Sequence, residues 1–162
     1  MAAAIYQGVK TEMDIFELIQ KDHREVENLF AELEGTRDSK KLQKLFNQLY
    51  RELSVHAESE ELTFYPAMRE YEETEKFLDE AEEEHVDVKV MIEEMKSVSL
   101  SSPEFRERLT DLKEAVQHHV EEEENEVFPK VRQCMSAEEL DQLAEEFQNM
   151  RNQLEDEMIA VT

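Results

Sequence analysis

Apolar residues recur every three or four positions through most of the chain, the spacing that keeps them on one face of an α-helix. Five such stretches separate. The first, about 12–34, carries Phe16, Ile19, Val26, Phe30 and Leu33, with Thr11 as its expected cap and Gly35 where a C′ glycine belongs. The second, about 39–71, has the seam Leu42, Phe46, Leu49, Leu53, His56, Glu60 and Thr63, and Pro66 predicts a bend near its end. The third, about 73–97, runs through Leu78, Ala81, His85, Val88, Ile92 and Met95. The fourth, about 103–133, opens on Ser102-Pro103-Glu104, a capping hydroxyl with proline at the first helical position. Its seam is Phe105, Leu109, Leu112, Val116, His119 and Glu123. Ser136-Ala137-Glu138-Glu139 reads as a capping box for a fifth helix to about 158, with Leu140, Leu143, Phe147, Met150 and Leu154 on its apolar face.

The pattern is duplicated. Residues 53–66 (LSVHAESEELTFYP) overlay 116–129 (VQHHVEEEENEVFP) at a shift of 63, matching His56 to His119, Glu60 to Glu123, Tyr65 to Phe128 and Pro66 to Pro129. A shift of 62 matches His23 to His85, Val26 to Val88, Phe30 to Ile92 and Leu33 to Met95. Two copies of one helical hairpin with short connections predict an all-α fold, an up-down four-helix bundle with a pseudo-twofold axis. The expected organisation is a leader over 1–11, the bundle over 12–133, and a C-terminal helix over 134–162 that docks on the bundle or serves in a homodimer.

Six polar residues break the apolar seams: His23, His56, Glu60, His85, His119 and Glu123. A bundle core does not hold unpaired imidazoles and carboxylates without a use for them, since each costs several kcal/mol or more. Residues four apart leave one face of a helix, so each His-x3-Glu pair can reach a cation beside it. The repeat pairs His23 with His56 on one metal and His85 with His119 on another, with Glu60 and Glu123 able to bridge. About four protein ligands per metal leave room for an oxo or hydroxo bridge and a small exogenous molecule. Mixed N/O donors with no thiolate suit iron best, with manganese or zinc as lesser fits.

At these residues the chain resembles the hemerythrin-like (HHE cation-binding) family, of pattern H…HxxxE…H…HxxxE, over residues 12–133 and down to the "HxEEEExxxFP" style of the fourth helix. The resemblance implies a non-haem di-iron centre that binds or senses dioxygen, nitric oxide or peroxide. The chain departs from the oxygen carriers of that family in two ways. Their fifth histidine, four residues before the third-helix ligand, is Ala81 here, and Glu123 at i+4 stands where they use Asp at i+5. An extra open position favours redox chemistry, such as peroxide consumption or nitric oxide reduction, or a replacement ligand from Glu82, Glu84 or Tyr65.

Composition narrows the rivals. A formal charge of −24 argues against nucleic acid or an anionic membrane as partner. No apolar run approaches a spanning helix, and residues 1–10 lack the basic and apolar regions of a secretory signal, so a cytoplasmic protein is expected. Cys134 is the single cysteine and lies off the seams, and the eight methionines read as core filler. His118, one residue off the seam with Glu122 at i+4, is the rival to His119. Tyr65 and Phe128 are expected to close the bundle end, and the runs Glu82–Glu84 and Glu121–Glu124 to be solvated faces. Two other classes compete: a ferritin-like iron oxidase or store, whose Glu-x-x-His order is reversed here, and a metal-free acidic interaction module.

Overall fold

A computed structural model describes residues 13–161, and these are helical throughout apart from short connections, with no strand among them. Helix α1 is Ile15–Gly35 and helix α2 covers 39–68. A single short turn of helix, Glu72–Glu75, precedes α3, Leu78–Met95. Helix α4 covers 103–134, and α5 is Ala137–Val161. The first four form the up-down bundle, α1 antiparallel to α2 and α3 to α4.

Several boundaries differ from the sequence expectation, each for a local reason. Thr11 lies outside the described residues, and α1 is capped by Asp14 rather than Thr11. Its carboxylate accepts from the Glu17 amide at 2.8 Å while Glu17 reaches back to the Asp14 amide at 3.4 Å. Gly35 takes no left-handed conformation, and the chain leaves α1 extended at Thr36. The carbonyls that a glycine cap would satisfy are taken by Arg106 of α4, which donates to Leu33, Glu34 and Thr36. The third segment is interrupted because Thr74 turns inward, buried, and donates its hydroxyl to the Met68 carbonyl at 2.6 Å. At α5, Ser136 caps the Glu139 amide at 3.2 Å as its sequence implies.

The bend expected at Pro66 is a widened turn, and it occurs twice. Helix α2 is α-helical over Ser39–Ser59, passes through a π turn at Glu60–Phe64, and resumes over Tyr65–Met68. Helix α4 does the same with Pro103–Glu122, Glu123–Val127 and Phe128–Cys134. A proline ring collides with the carbonyl four residues back. Opening the turn to i→i+5 relieves this, the Tyr65 amide bonding to Glu60 and the Phe128 amide to Glu123. Each π turn starts on one of the seam glutamates.

The apolar core is split. One cluster gathers Ile15, Phe16, Ile19, Phe64, Leu78 and Phe128 at the bundle end covered by α5. The other gathers Phe30, Leu42, Leu49, Ile92, Phe105 and Leu112 at the far end. Helix α5 lies along α1 and α2 with Leu143, Ala144, Phe147 and Leu154 buried. At about 1.5–3 kcal/mol for each large apolar side chain removed from water, the two clusters supply the folding drive. Between them runs a layer of polar side chains.

Candidate metal centre

That layer is made of the six polar seam residues. His23 (α1), His56 and Glu60 (α2), His85 (α3), and His119 and Glu123 (α4) are all buried, Glu60 completely. Their ligand atoms fall into two groups, His23, His56 and Glu123 in one and Glu60, His85 and His119 in the other. Glu60 Oε1 lies 3.0 Å from His56 Nε2 and 3.4 Å from His85 Nε2. Glu123 offers Oε1 to His23 Nε2 at 3.2 Å and Oε2 to His119 Nε2 at 3.5 Å. Both carboxylates thus span the two histidine pairs, whose ring centroids are 4.9 and 4.7 Å apart.

These contacts lack hydrogen-bond geometry. His23 Nε2, His56 Nε2, both Glu60 oxygens and Glu123 Oε1 are buried with no hydrogen-bond partner, a concentration that a folded protein tolerates only where something else satisfies it. His85 Nε2 and His119 Nε2 face each other at 3.2 Å. With each ring donating from Nδ1, two lone pairs would meet there unless a proton or a cation intervenes. The donor set fits a pair of cations.

Four carboxylates that the sequence did not single out as ring partners hold the outer nitrogens. His23 Nδ1 donates to Glu124 at 2.7 Å, His56 Nδ1 to Asp22 at 2.9 Å, His85 Nδ1 to Glu61 at 3.1 Å and His119 Nδ1 to Glu84 at 2.9 Å. Such a bond fixes the tautomer and aims Nε2 inward, as carboxylates do behind metal-bound histidines. The four obey the repeat, Glu61 matching Glu124 at a shift of 63 and Asp22 matching Glu84 at 62. Glu84 and Glu124 therefore correct the expectation that their runs are solvated faces. The available signal was the doubled motif itself, an acid directly before His23 and His85 and a second glutamate directly after Glu60 and Glu123.

Electrostatics follow the same plan. Burial opposes charge on His119, yet Glu123 and Glu84 outweigh it and raise its pKa to about 10. His23, His56 and His85 are shifted upward in the same way, His56 strongly, by Glu60 and Asp22. Burial would raise Glu123, but His119 and His23 hold it well below the usual carboxylate range. In the absence of cations, protons on the imidazoles neutralise the carboxylates.

The rival residues are sorted by position. His118 is exposed, 3.3 Å from Glu84 and 3.6 Å from Glu122, so His119 alone of the two enters the interior. Glu82 pairs outward with Arg69 at 2.7 Å, and Glu84 is engaged with His119 Nδ1 at 2.9 Å. Tyr65 does face it, with its hydroxyl 3.0 Å from His85 Nε2. A small pocket beside Ala81 reaches Tyr65, His119 and Glu123. Cys134 stays outside the layer, near Glu73.

A family model, the hemerythrin HHE cation binding domain, matches residues 14–131. The chain belongs to the hemerythrin HHE cation-binding family. As a member it is a metal-binding helical protein, and its two His/Glu clusters are the groups able to hold cations. It is 29% identical over 139 residues to an uncharacterised hemerythrin-like protein of Schizosaccharomyces pombe, covering 85% of this chain and 68% of that one. It is 35% identical over 159 residues to a protein named DNA nickase from Nostoc sp., covering 96% of this chain and 44% of the relative. The chain thus spans less than half the length of that relative. A solved HHE domain-containing protein of Mycobacterium kansasii shares the fold at a TM-score of 0.81, with 22% identity over 91% of each chain. Among the described residues no helix is long and apolar enough to cross a membrane.

Proposed function

We propose that this HHE protein holds a non-haem di-iron centre through His23, His56, Glu60, His85, His119 and Glu123, and that the centre binds or senses dioxygen, nitric oxide or peroxide. The observation that carries this reading is the set of inward Nε2 atoms and orphaned carboxylate oxygens, each ring backed by an outer carboxylate. Two inner and four outer carboxylates favour highly charged cations, and oxygen and imidazole donors without thiolate favour iron over softer choices. Bound iron would supply an open coordination position and accessible oxidation states. The chain's own residues orient the imidazoles, hold the proton at each outer Nδ1 so that Nε2 points inward, and exclude bulk water. The small pocket beside Ala81 is lined by Tyr65, His119 and Glu123, at the edge of the buried layer.

Purified protein should contain about two iron ions per chain, with a charge-transfer spectrum that changes on adding azide, peroxide or nitric oxide. Sustained loss of added peroxide or nitric oxide, as against one stoichiometric spectral change, would make it an enzyme rather than a binder. Protein without iron after iron-replete expression would count against the reading.

The Nostoc relative favours a second one, metal-dependent cleavage of a DNA strand, because paired cations also activate water against phosphodiesters. The charge of −24 opposes DNA binding by this chain by itself. Conversion of supercoiled plasmid to the open circle, dependent on added metal and absent in Glu60→Ala, would select it.

A further inference from the structure

Tyr65 and Phe128 occupy equivalent places in the two repeats, but only Tyr65 carries a ligand atom. In a regular α-helix a residue five beyond Glu60 would sit about 140° around the axis from it. The π turn removes that offset, since the amide of Tyr65 bonds to the carbonyl of Glu60 and brings the ring back over the glutamate. The ring stacks on His85, centroids 5.2 Å apart and 28° between planes, and the side chain is 2% exposed. At the matching place Phe128 packs edge-on against Phe16 at 4.9 Å and Phe64 at 6.1 Å, so that half of the layer is closed by hydrocarbon.

We propose that Tyr65 is itself a metal ligand, completing the position defined by Glu60, His85 and His119 and making the two cation positions chemically unequal. The inference rests on the metal reading above. Two donors in adjacent positions around a cation, each about 2.0–2.2 Å from it, lie about 3 Å apart. Measured from His85 Nε2, the separations are 3.0 Å to the Tyr65 hydroxyl, 3.2 Å to His119 Nε2 and 3.4 Å to Glu60 Oε1. Three donors stand around that nitrogen at the spacing of neighbouring ligands. A hydrogen bond from Tyr65 to His85 Nε2 cannot survive once that nitrogen's lone pair is on a metal. A buried hydroxyl without a partner is costly, and ligation satisfies it. On coordination the O–H bond breaks as the oxygen–metal bond forms, the proton passes to buffer, and no electron is transferred. One cation then has five protein donors and the other four.

The test compares the full chain with Tyr65→Phe, both loaded with ferric iron, by metal analysis and by resonance Raman spectroscopy across the visible band. The expected result is coordinated-phenolate ring modes in the wild type and their loss in Tyr65→Phe. Wild-type protein with two irons and no phenolate modes would overturn the assignment while leaving the di-iron reading intact, as would phenolate modes that persist in Tyr65→Phe. Wild-type protein that takes up no iron sinks the di-iron reading and the assignment with it. Because iron content and the vibrational spectrum are measured separately, the two failures are distinguishable.

Discussion

A histidine on a core seam has two nitrogens to satisfy, and the two face different worlds here. Each Nδ1 meets a carboxylate from the partner helix of its own hairpin or the opposite one, and each Nε2 meets the central layer. The inner residues were legible in the sequence because they interrupt an apolar periodicity at matched positions. The outer carboxylates were not. Asp22, Glu61, Glu84 and Glu124 lie one residue off a seam, about 100° around the helix, where an acidic chain places many solvated groups. In the sequence only their recurrence in both repeats marks them, and the neighbouring helix's imidazole gives them their role. Replacing such a carboxylate should weaken metal binding 10–100-fold. We expect that range for Glu61→Gln in a chelator competition, and unchanged affinity would contradict the role. The titration of the metal-free protein gives a second expectation. His119 has its pKa raised from 6.5 to about 10, so its contribution to stability is complete below 6.5 and is lost as pH climbs towards 10. Glu123 is depressed from 4.5, so its contribution is complete above that value and is lost as pH falls through the lower folded one. The urea midpoint of metal-free protein should therefore be highest between about 4.5 and 6.5 and decline from pH 7 to 10. A midpoint that is flat over the alkaline range would be inconsistent with these charges.

At the scale of elements, five helices and their order followed from periodicity, but the widened turns did not. Proline marks where a helix is disturbed, not how the disturbance is absorbed, and an i→i+5 turn leaves no composition signature. Helix α5 was legible as an amphipathic segment, while its partner was not. Its Arg151 explains the docking site, donating to Asp22 at 2.8 Å, Glu52 at 2.8 Å and Glu155 at 3.0 Å. Asp22 in turn holds His56, so one hydrogen-bonded chain runs from the C-terminal helix to the centre. The equivalent carboxylate in the other half, Glu84, meets the exposed His118 and Glu122 on its outer side. Arg151→Met keeps the aliphatic stem but takes the guanidinium away from Glu52 and leaves Asp22 with His56. Breaking a largely buried charge cluster costs about 3 kcal/mol, which should appear as a lower urea midpoint together with weaker metal retention. An unchanged midpoint would mean that apolar packing alone docks α5.

Over its described residues the molecule is two greasy clusters joined through a layer of charge. Four imidazoles and two carboxylates there contribute no hydrophobic drive, so this layer is where the bundle depends most on what it binds. Anything that binds the folded state alone raises its stability by mass action, about 4 kcal/mol at a thousandfold excess over Kd. Metal-loaded protein should accordingly melt several degrees above the same protein after chelation, and readdition of iron should restore the difference. Equal melting temperatures would place the cations elsewhere. The metal-free module makes the opposite forecast, that leucine at His56 or His85 stabilises the fold. The net charge of −24 was plain from composition, but its distribution was not, because part of it is directed inward onto the histidine rings.

The central claim is that two cations hold the polar layer together. The most direct measurement is anomalous X-ray diffraction at the iron edge from crystals of protein expressed in iron-replete cells. The account predicts two anomalous peaks between the bundle's two apolar clusters, one within about 2.0–2.2 Å of His23 and His56 and the other of His85 and His119, with Glu60 and Glu123 reaching both. An ordered bundle with no anomalous density in that layer, or with any of the four rings turned towards solvent, would contradict it.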